Sequence, residues 1–170
     1  MIDLLFAHLA LSDRAALVFF ALTLPVCIWV AASDVKHMKI RNMAVLALLV
    51  IYGVTGPLVL PLQDYLWGWV HFAVVLVICF GANMVGIMGA GDAKFLAAAA
   101  PFVPLSDSTE ALYILVVAAV VALVLHRAIR RIPAVTRALP GWESWTNSKF
   151  PMGLALGPAL SAYLAAAAFV

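Results

Sequence analysis

Long apolar runs separated by short polar segments make up most of this chain. Six runs are present, and charged residues are nearly confined to the segments between them. The runs cover residues 15–33, 43–61, 66–86, 91–105, 110–127 and 151–170. A run of about 20 apolar residues is long enough to cross a bilayer as an α-helix. The pattern therefore predicts an all-α polytopic membrane protein with about six transmembrane helices.

The fourth run, residues 91–105, is the shortest of the six. As a helix it would span about 22 Å, whereas the hydrocarbon core of a bilayer is about 30 Å thick. Pro101 and Pro104 also interrupt a helix there. A re-entrant loop is the alternative to a full crossing. A crossing is predicted, because without it the arginines between 127 and 137 would fall on the side opposite to the other basic loops.

Positive charge is distributed unequally between the predicted loops. Of the ten lysines and arginines, nine fall in loops that six crossings place on one side: Lys36, Lys39, Arg41, Lys94, Arg127, Arg130, Arg131, Arg137 and Lys149. The positive-inside rule makes this side cytoplasmic, so both chain termini are expected outside. We expect residues 1–170 to form a single transmembrane domain, with residues 1–11 along the membrane interface.

Two acidic residues occur where an apolar run meets the basic side. Asp34 follows the first run in AASDVKHMKIRNM, and Asp92 begins the fourth run in GIMGAGDAKF. One such acid alone is commonly a solvated helix end or a cap. Glycine inside a helix costs about 1 kcal/mol, so GAGD indicates a special backbone that another chain could approach closely. Paired carboxylates suit peptide hydrolysis, because one keeps a proton while the other is ionised.

Other chemistries have less support in the sequence. HExxH is absent, the four histidines are scattered, and the two cysteines lie in different runs, so neither a metal site nor a cofactor is predicted. A small proton- or cation-coupled transporter using Asp34 and Asp92 is the alternative function. Against it, both acids are predicted at one membrane face and no inverted repeat is visible. A structural subunit of a membrane assembly is a third possibility, since the Gly153–Gly157 spacing suits helix packing.

Around the two aspartates, the sequence resembles the prepilin peptidases, which are GxGD-type aspartyl proteases of the bacterial inner membrane. The first motif runs from Asp34 to Asn42, DVKHMKIRN, and resembles the family's aspartate, basic stretch and Ile-Pro-Asn-like element, with Arg41 in the place of proline. The second is GAGDAK, residues 89–94, which matches closely. KFPMGLALGPAL, residues 149–160, is similar to the family's closing segment.

This resemblance implies that Asp34 and Asp92 are a catalytic pair that removes the leader of type IV prepilins or pseudopilins. The residues implied to shape the site or meet the substrate are Gly89, Gly91, Lys36, Lys39, Asn42 and Lys94. The implied location is the bacterial inner membrane, with the active site facing the cytoplasm. Besides the bilayer and the substrates, the pilus assembly machinery is an expected partner, and nucleic acid is not.

One departure from the larger family members concerns cysteine. Those members carry an insert with two CxxC pairs that is tied to methylation of the new pilin amino terminus. This chain has two cysteines in total and no such insert. It therefore resembles the short, peptidase-only branch that is found with tight-adherence (Flp) type IVb pili.

Overall fold

The computed structural model describes residues 9–169, which form helices joined by short turns, with no strand in that range. Its α-helices are α1 Asp13–His37, α2 Asn42–Val59, α3 Leu62–Met84, α4 Ala90–Ala99, α5 Ser108–Arg130, α6 Pro133–Ala138 and α7 Gly153–Phe169. Short 3-10 turns lie at Ala100–Phe102, Leu105–Asp107 and Glu143–Trp145. The predicted all-α class is confirmed. Most of the expected interfacial segment, residues 1–8, lies outside the described residues, as does Val170.

Four segments are long and apolar enough to cross a bilayer: α1, α2, α3 and the segment Leu105–Arg130 that contains α5. The apolar helix α7 adds 17 residues, or about 25 Å at 1.5 Å per residue. Large apolar side chains face outward along these helices, and Val54, Val77 and Val120 are each more than half exposed. Such a surface is unfavourable in water and suits lipid. The chain is therefore a polytopic membrane protein, as predicted.

The fourth predicted crossing forms as a short helix, α4, followed by the 3-10 turn Ala100–Phe102. The change of helix type falls at Pro101, which lacks a backbone N–H donor. The segment begins beside Ile40, in the turn between α1 and α2. It ends near Val103, whose carbonyl oxygen lies 3.0 Å from Nδ1 of His71 in α3. By Asp107, which accepts a hydrogen bond from the backbone N–H of Leu11, the chain has passed from the carboxyl end of α1 to its amino end, so the segment does not turn back.

Helix α7 lies at the centre of the bundle and packs along α1, with α4 and α5 also in contact with it. The close approach of α7 to α1 depends on small residues. Gly157 lies against the backbone carbonyl of Cys27, where a side chain on residue 157 would have no room. The glycine spacing at 153 and 157 therefore serves packing within this chain, since small residues let two helix backbones approach.

Asp107 organises the end of the bundle that is opposite to Asp34. Its carboxylate accepts hydrogen bonds from the backbone N–H of Ala10 at 2.9 Å, from that of Leu11 at 3.4 Å, and from the Tyr163 hydroxyl at 2.7 Å. Asp107 is only 2% exposed. The charge pattern places Asp107 on the outer side but gives no sign of this buried role.

Candidate active site

Asp34 lies in the last turn of α1, with its side chain buried against the beginning of α7. Its Oδ2 accepts a hydrogen bond from the backbone N–H of Gly153 at 2.6 Å. Gly153 is the first residue of α7, and the first N–H groups of a helix have no partner within that helix. A Cβ atom on residue 153 would lie 2.8 Å from the Asp34 Cβ, which is too close for two carbon atoms. This position therefore requires glycine.

The turn after α1 folds back over the end of that helix. Met38 adopts the left-handed conformation, with φ 51° and ψ 36°, and its N–H donates to the carbonyl oxygen of Asp34 at 2.8 Å. The hydroxyl of Ser33 donates to the carbonyl oxygen of Lys39 at 3.1 Å. Together these bonds fix the path of the chain to Ile40, which contacts α4.

Asp92 lies in the first turn of α4, three residues after the N-cap residue Gly89. Its carboxylate folds back over Gly89, where an added Cβ would lie 2.7 Å from Asp92 Oδ2. Gly91 faces the other way: a Cβ there would lie 3.3 Å from the Cβ of Ile40. A side chain at either glycine of GAGD would thus meet a different neighbour. Gly89 leaves room for the Asp92 carboxylate, and Gly91 for the turn between α1 and α2.

The two motifs meet at the same end of the bundle, which we call the aspartate end. Besides the contact of Gly91 with the turn after α1, Nζ of Lys94 donates to Oδ1 of Asn42 at 3.2 Å, which joins α4 to α2. Asp34 lies in the last turn of α1, directly before the turn that contains Ile40, and Asp92 follows Gly91, which contacts Ile40. The fold therefore brings both acids into one site, although they are far apart in the sequence.

The six residues expected to shape the site fall into two groups. Four lie at the beginning of α4 and at the turn that packs on it: Gly89 contacts Asp92, Gly91 contacts Ile40, and Lys94 bonds to Asn42. Lys36 and Lys39 are exposed at the rim of the aspartate end. Their charged ends are thus available to a ligand that approaches from outside the membrane.

The sequence motifs did not identify Gly153 as a partner of Asp34. The available signal was the segment KFPMGLALGPAL, which indicates that the last helix begins near Met152 and contains two glycines four residues apart. That pattern predicts close helix packing but not which residue the first glycine faces. Only the packing of α7 on α1 identifies the backbone N–H that holds Asp34.

The arrangement provides two carboxylates at the end of a helical membrane bundle, one of them held by a backbone N–H. Two carboxylates that share a site cannot both ionise easily, so an arrangement of this kind is able to hold one proton between two acids. Both acids lie at one end of the bundle and not near its middle, which does not favour the transporter alternative. Within residues 9–169, no group of three or more His, Cys, Asp and Glu side chains is placed to hold a metal ion. The fold and site define a polytopic helical membrane protein with a two-aspartate site.

The family model for type IV leader peptidases matches residues 15–126, a range that includes both Asp34 and Asp92. The chain therefore belongs to the type IV leader peptidase family. Membership makes it a membrane peptidase, with prepilins as its class of substrate, and confirms the family suggested by the two motifs. No curated protein and no solved structure matches the chain.

Proposed function

We propose that this protein is an aspartyl endopeptidase that removes the leader peptide of type IV prepilins or pseudopilins, with Asp34 and Asp92 as its catalytic pair. The observation that carries the proposal is the position of these two acids at the same end of the bundle, where Gly91 contacts the turn after α1 and Lys94 bonds to Asn42. Burial of Asp34 and its bond to Gly153 support it further, because a catalytic carboxylate must be held in a fixed orientation.

In the proposed reaction the two carboxylates share one proton. The ionised member takes a proton from a water molecule, whose oxygen attacks the scissile carbonyl carbon, while the neutral member donates a hydrogen bond to the carbonyl oxygen. The tetrahedral intermediate then collapses, the C–N bond breaks, and a proton passes to the leaving amine. Oδ2 of Asp34 is already bonded to Gly153, so Oδ1 is the Asp34 oxygen that we assign to the water. The pair titrates as a unit.

The aspartate end is proposed to face the cytoplasm of a bacterium, across its inner membrane. The basic loops support this orientation, since Lys36, Lys39 and Lys94 and the arginines of residues 127–137 lie at that end. A prepilin has a short charged leader in the cytosol and an apolar helix in the bilayer, so its scissile bond lies at the membrane border. We propose the same depth for the two aspartates, because both lie at the end of the bundle that carries the basic loops. Lys36 and Lys39, exposed at the rim, are proposed to meet the cytosolic part of the substrate.

We also propose that the protein cleaves without methylating its product and acts with pili of the tight-adherence (Flp) type. The support is the cysteine content of the chain. Cys27 and Cys79 lie in different helices, and the paired CxxC motifs tied to methylation in larger relatives are missing from the sequence. Assembly proteins of the same pilus are proposed as partners.

The test of this function is co-expression of the full-length protein with candidate prepilins, scoring leader removal by electrophoresis and mass spectrometry. Asp34→Asn and Asp92→Asn are each expected to abolish cleavage, because neither variant side chain can exchange the proton that the reaction needs. Glu143→Gln is the matched control, since Glu143 is exposed and lies outside the pair. Substantial processing by either aspartate variant, at wild-type levels of membrane insertion, would contradict the assignment.

A further inference from the structure

An apolar groove of about 900 Å³ lies between α1 and α5, with α7 as its floor. Its α1 wall consists of Leu24, Cys27, Ile28, Ala31, Ala32 and Val35. Its α5 wall consists of Ala118, Val121, Ala122, Leu125, His126 and Ile129. Both walls repeat the same helical spacing, so each is a straight stripe along one face of its helix. This volume lies at the upper end of the range of about 300–1,000 Å³ that is usual for ligand pockets.

The groove extends through only half of a membrane. Each wall covers three turns of helix, or about 16 Å, compared with a hydrocarbon core of about 30 Å. Both stripes end at the aspartate end, and the next residue after each stripe is basic: Lys36 on α1 and Arg130 on α5. The groove therefore occupies one leaflet, with positive charge at the level of the lipid headgroups.

Aromatic side chains line the end of the groove beneath that charge. The indole of Trp145 stacks on Trp142, at 5.4 Å between ring centroids, and on the imidazole of His126 at the same distance. His126 lines the groove and is only 3% exposed. Within residues 9–169, neither of its ring nitrogens has a hydrogen-bond partner. A neutral imidazole carries one N–H donor, so this ring offers a bond to a ligand in the groove.

The arginines around this end keep their charge available. Nη1 of Arg130 donates to the backbone carbonyl oxygen of Asn147 at 3.0 Å, and Nε of Arg137 donates to that of Pro133 at 3.2 Å. Bonds to neutral carbonyl groups position a guanidinium without neutralising it. An anionic group at the mouth of the groove would therefore find fixed positive charge, and arginine suits the geometry of a phosphate oxygen pair.

We propose that this groove binds an anionic phospholipid, with its acyl chains between α1 and α5 and its phosphate against Arg130 and His126. The groove matches one lipid part by part. Its apolar walls have the length of one leaflet and suit the acyl chains, and its basic end, lined by indoles, suits the anionic headgroup. A transmembrane helix of a substrate is a poorer match, because it needs an apolar wall through the whole hydrocarbon core. The lipid would fill the space beside α1, the helix that carries Asp34, and would link it to α5. The inference does not depend on the proposed peptidase activity.

Lipid retention can be measured by native mass spectrometry of the full-length protein in detergent. The probes are phosphatidylglycerol and phosphatidylcholine with identical acyl chains. We expect phosphatidylglycerol to be retained at least fivefold better, since each basic residue near a headgroup contributes about a fivefold preference for anionic lipid. Arg130→Gln should remove about fivefold of that preference. Arg14→Gln, at the opposite end of α1, is the charge-matched control and should leave the preference unchanged.

The groove itself is tested by a pair of neighbouring substitutions on α5. Ala118→Trp fills the groove and should reduce retention of phosphatidylglycerol, whereas Ala119→Trp lies outside the lining and should not. Both residues are partly exposed, which makes the two variants comparable. The same results are expected in an Asp34→Asn background, so they do not require cleavage activity.

Four results would overturn the lipid assignment. The first is equal retention of phosphatidylglycerol and phosphatidylcholine, and the second is an equal preference for phosphatidylglycerol in the Arg130→Gln and Arg14→Gln proteins. The third is equal retention of phosphatidylglycerol in the Ala118→Trp and Ala119→Trp proteins. The fourth is displacement of the lipid by inorganic phosphate alone. Displacement of phosphatidylglycerol by added prepilin would also overturn it, because the groove would then be a substrate site.

Discussion

Substituting Gly153 by alanine tests whether the first N–H of α7 holds the Asp34 carboxylate in place. The added Cβ would lie 2.8 Å from the Asp34 Cβ and 3.1 Å from Oδ2. Carbon atoms in contact are about 3.5–4.0 Å apart, so Asp34 or the start of α7 must move by about 1 Å. The Gly153 N–H to Oδ2 bond, now 2.6 Å, would then exceed the length of a hydrogen bond.

We expect Gly153→Ala to lower the rate of leader cleavage by about 10²-fold. A misplacement of about 1 Å in a catalytic group commonly costs that much, which corresponds to about 2.7 kcal/mol in the activation free energy. The assay is single-turnover cleavage of a purified prepilin in detergent or proteoliposomes, with enzyme in excess. This measures the chemical step directly and separates it from substrate binding.

Two control variants separate an effect on the carboxylate from a general effect on folding. Gly81→Ala adds a Cβ that meets nothing within 4 Å and should be silent or slightly stabilising. Gly157→Ala crowds the backbone of Cys27 in the same α1–α7 contact without touching Asp34. It should lower thermal stability more than the rate per folded molecule. Wild-type single-turnover rates for folded Gly153→Ala protein would refute the role given to the Gly153 N–H.

Three further predictions follow from other contacts. Replacing Asp107 by alanine should lower thermal stability by on the order of 3 kcal/mol, because buried N–H and O–H donors lose their acceptor; unchanged thermal unfolding in detergent would contradict this. Lys94→Gln should reduce cleavage by no more than about fivefold, because exposed contacts of this kind contribute up to about 1 kcal/mol, so a loss above tenfold would give Lys94 a direct role. Single cysteines at His37 and Thr136 should react with an impermeant thiol reagent from the cytoplasm, and one at the exposed Leu105 from outside. Cytoplasmic labelling at position 105 would disprove the predicted topology.

The fold was largely predictable from the sequence because one physical requirement determines it. In lipid every backbone polar group must be bonded within its own segment, so each long apolar run becomes a helix. The observed helices overlap all six predicted runs. The exact structure of the fourth run, residues 91–105, was not predictable. Pro101 indicates that a helix is interrupted there, but it does not indicate that α4 is covered by the helices around it. Likewise, the burial of Asp107 was not predictable, because it depends on hydrogen bonds from Ala10 and Tyr163, which are far from Asp107 in the sequence.

The candidate site was predictable to the extent that its residues form local motifs. In the GAGD segment the interacting residues are neighbours in the sequence, because Gly89 makes room for the carboxylate three residues later on the same turn. The partner of Asp34 was not predictable in this way. Gly153 lies in another helix, and a glycine in an apolar run has no sequence feature that identifies the side chain it faces.

The two aspartates are therefore held in different ways, and this difference has a consequence for the enzyme. Asp92 depends on its own turn, on Gly89 and on the contact of Gly91 with Ile40. Asp34 depends on the packing of α7 against α1, because its bonded N–H belongs to the first residue of α7. Any change that separates these two helices must therefore move one carboxylate relative to the other. The geometry of the pair is thus coupled to the last helix, which lies beyond the residues that the family model matches.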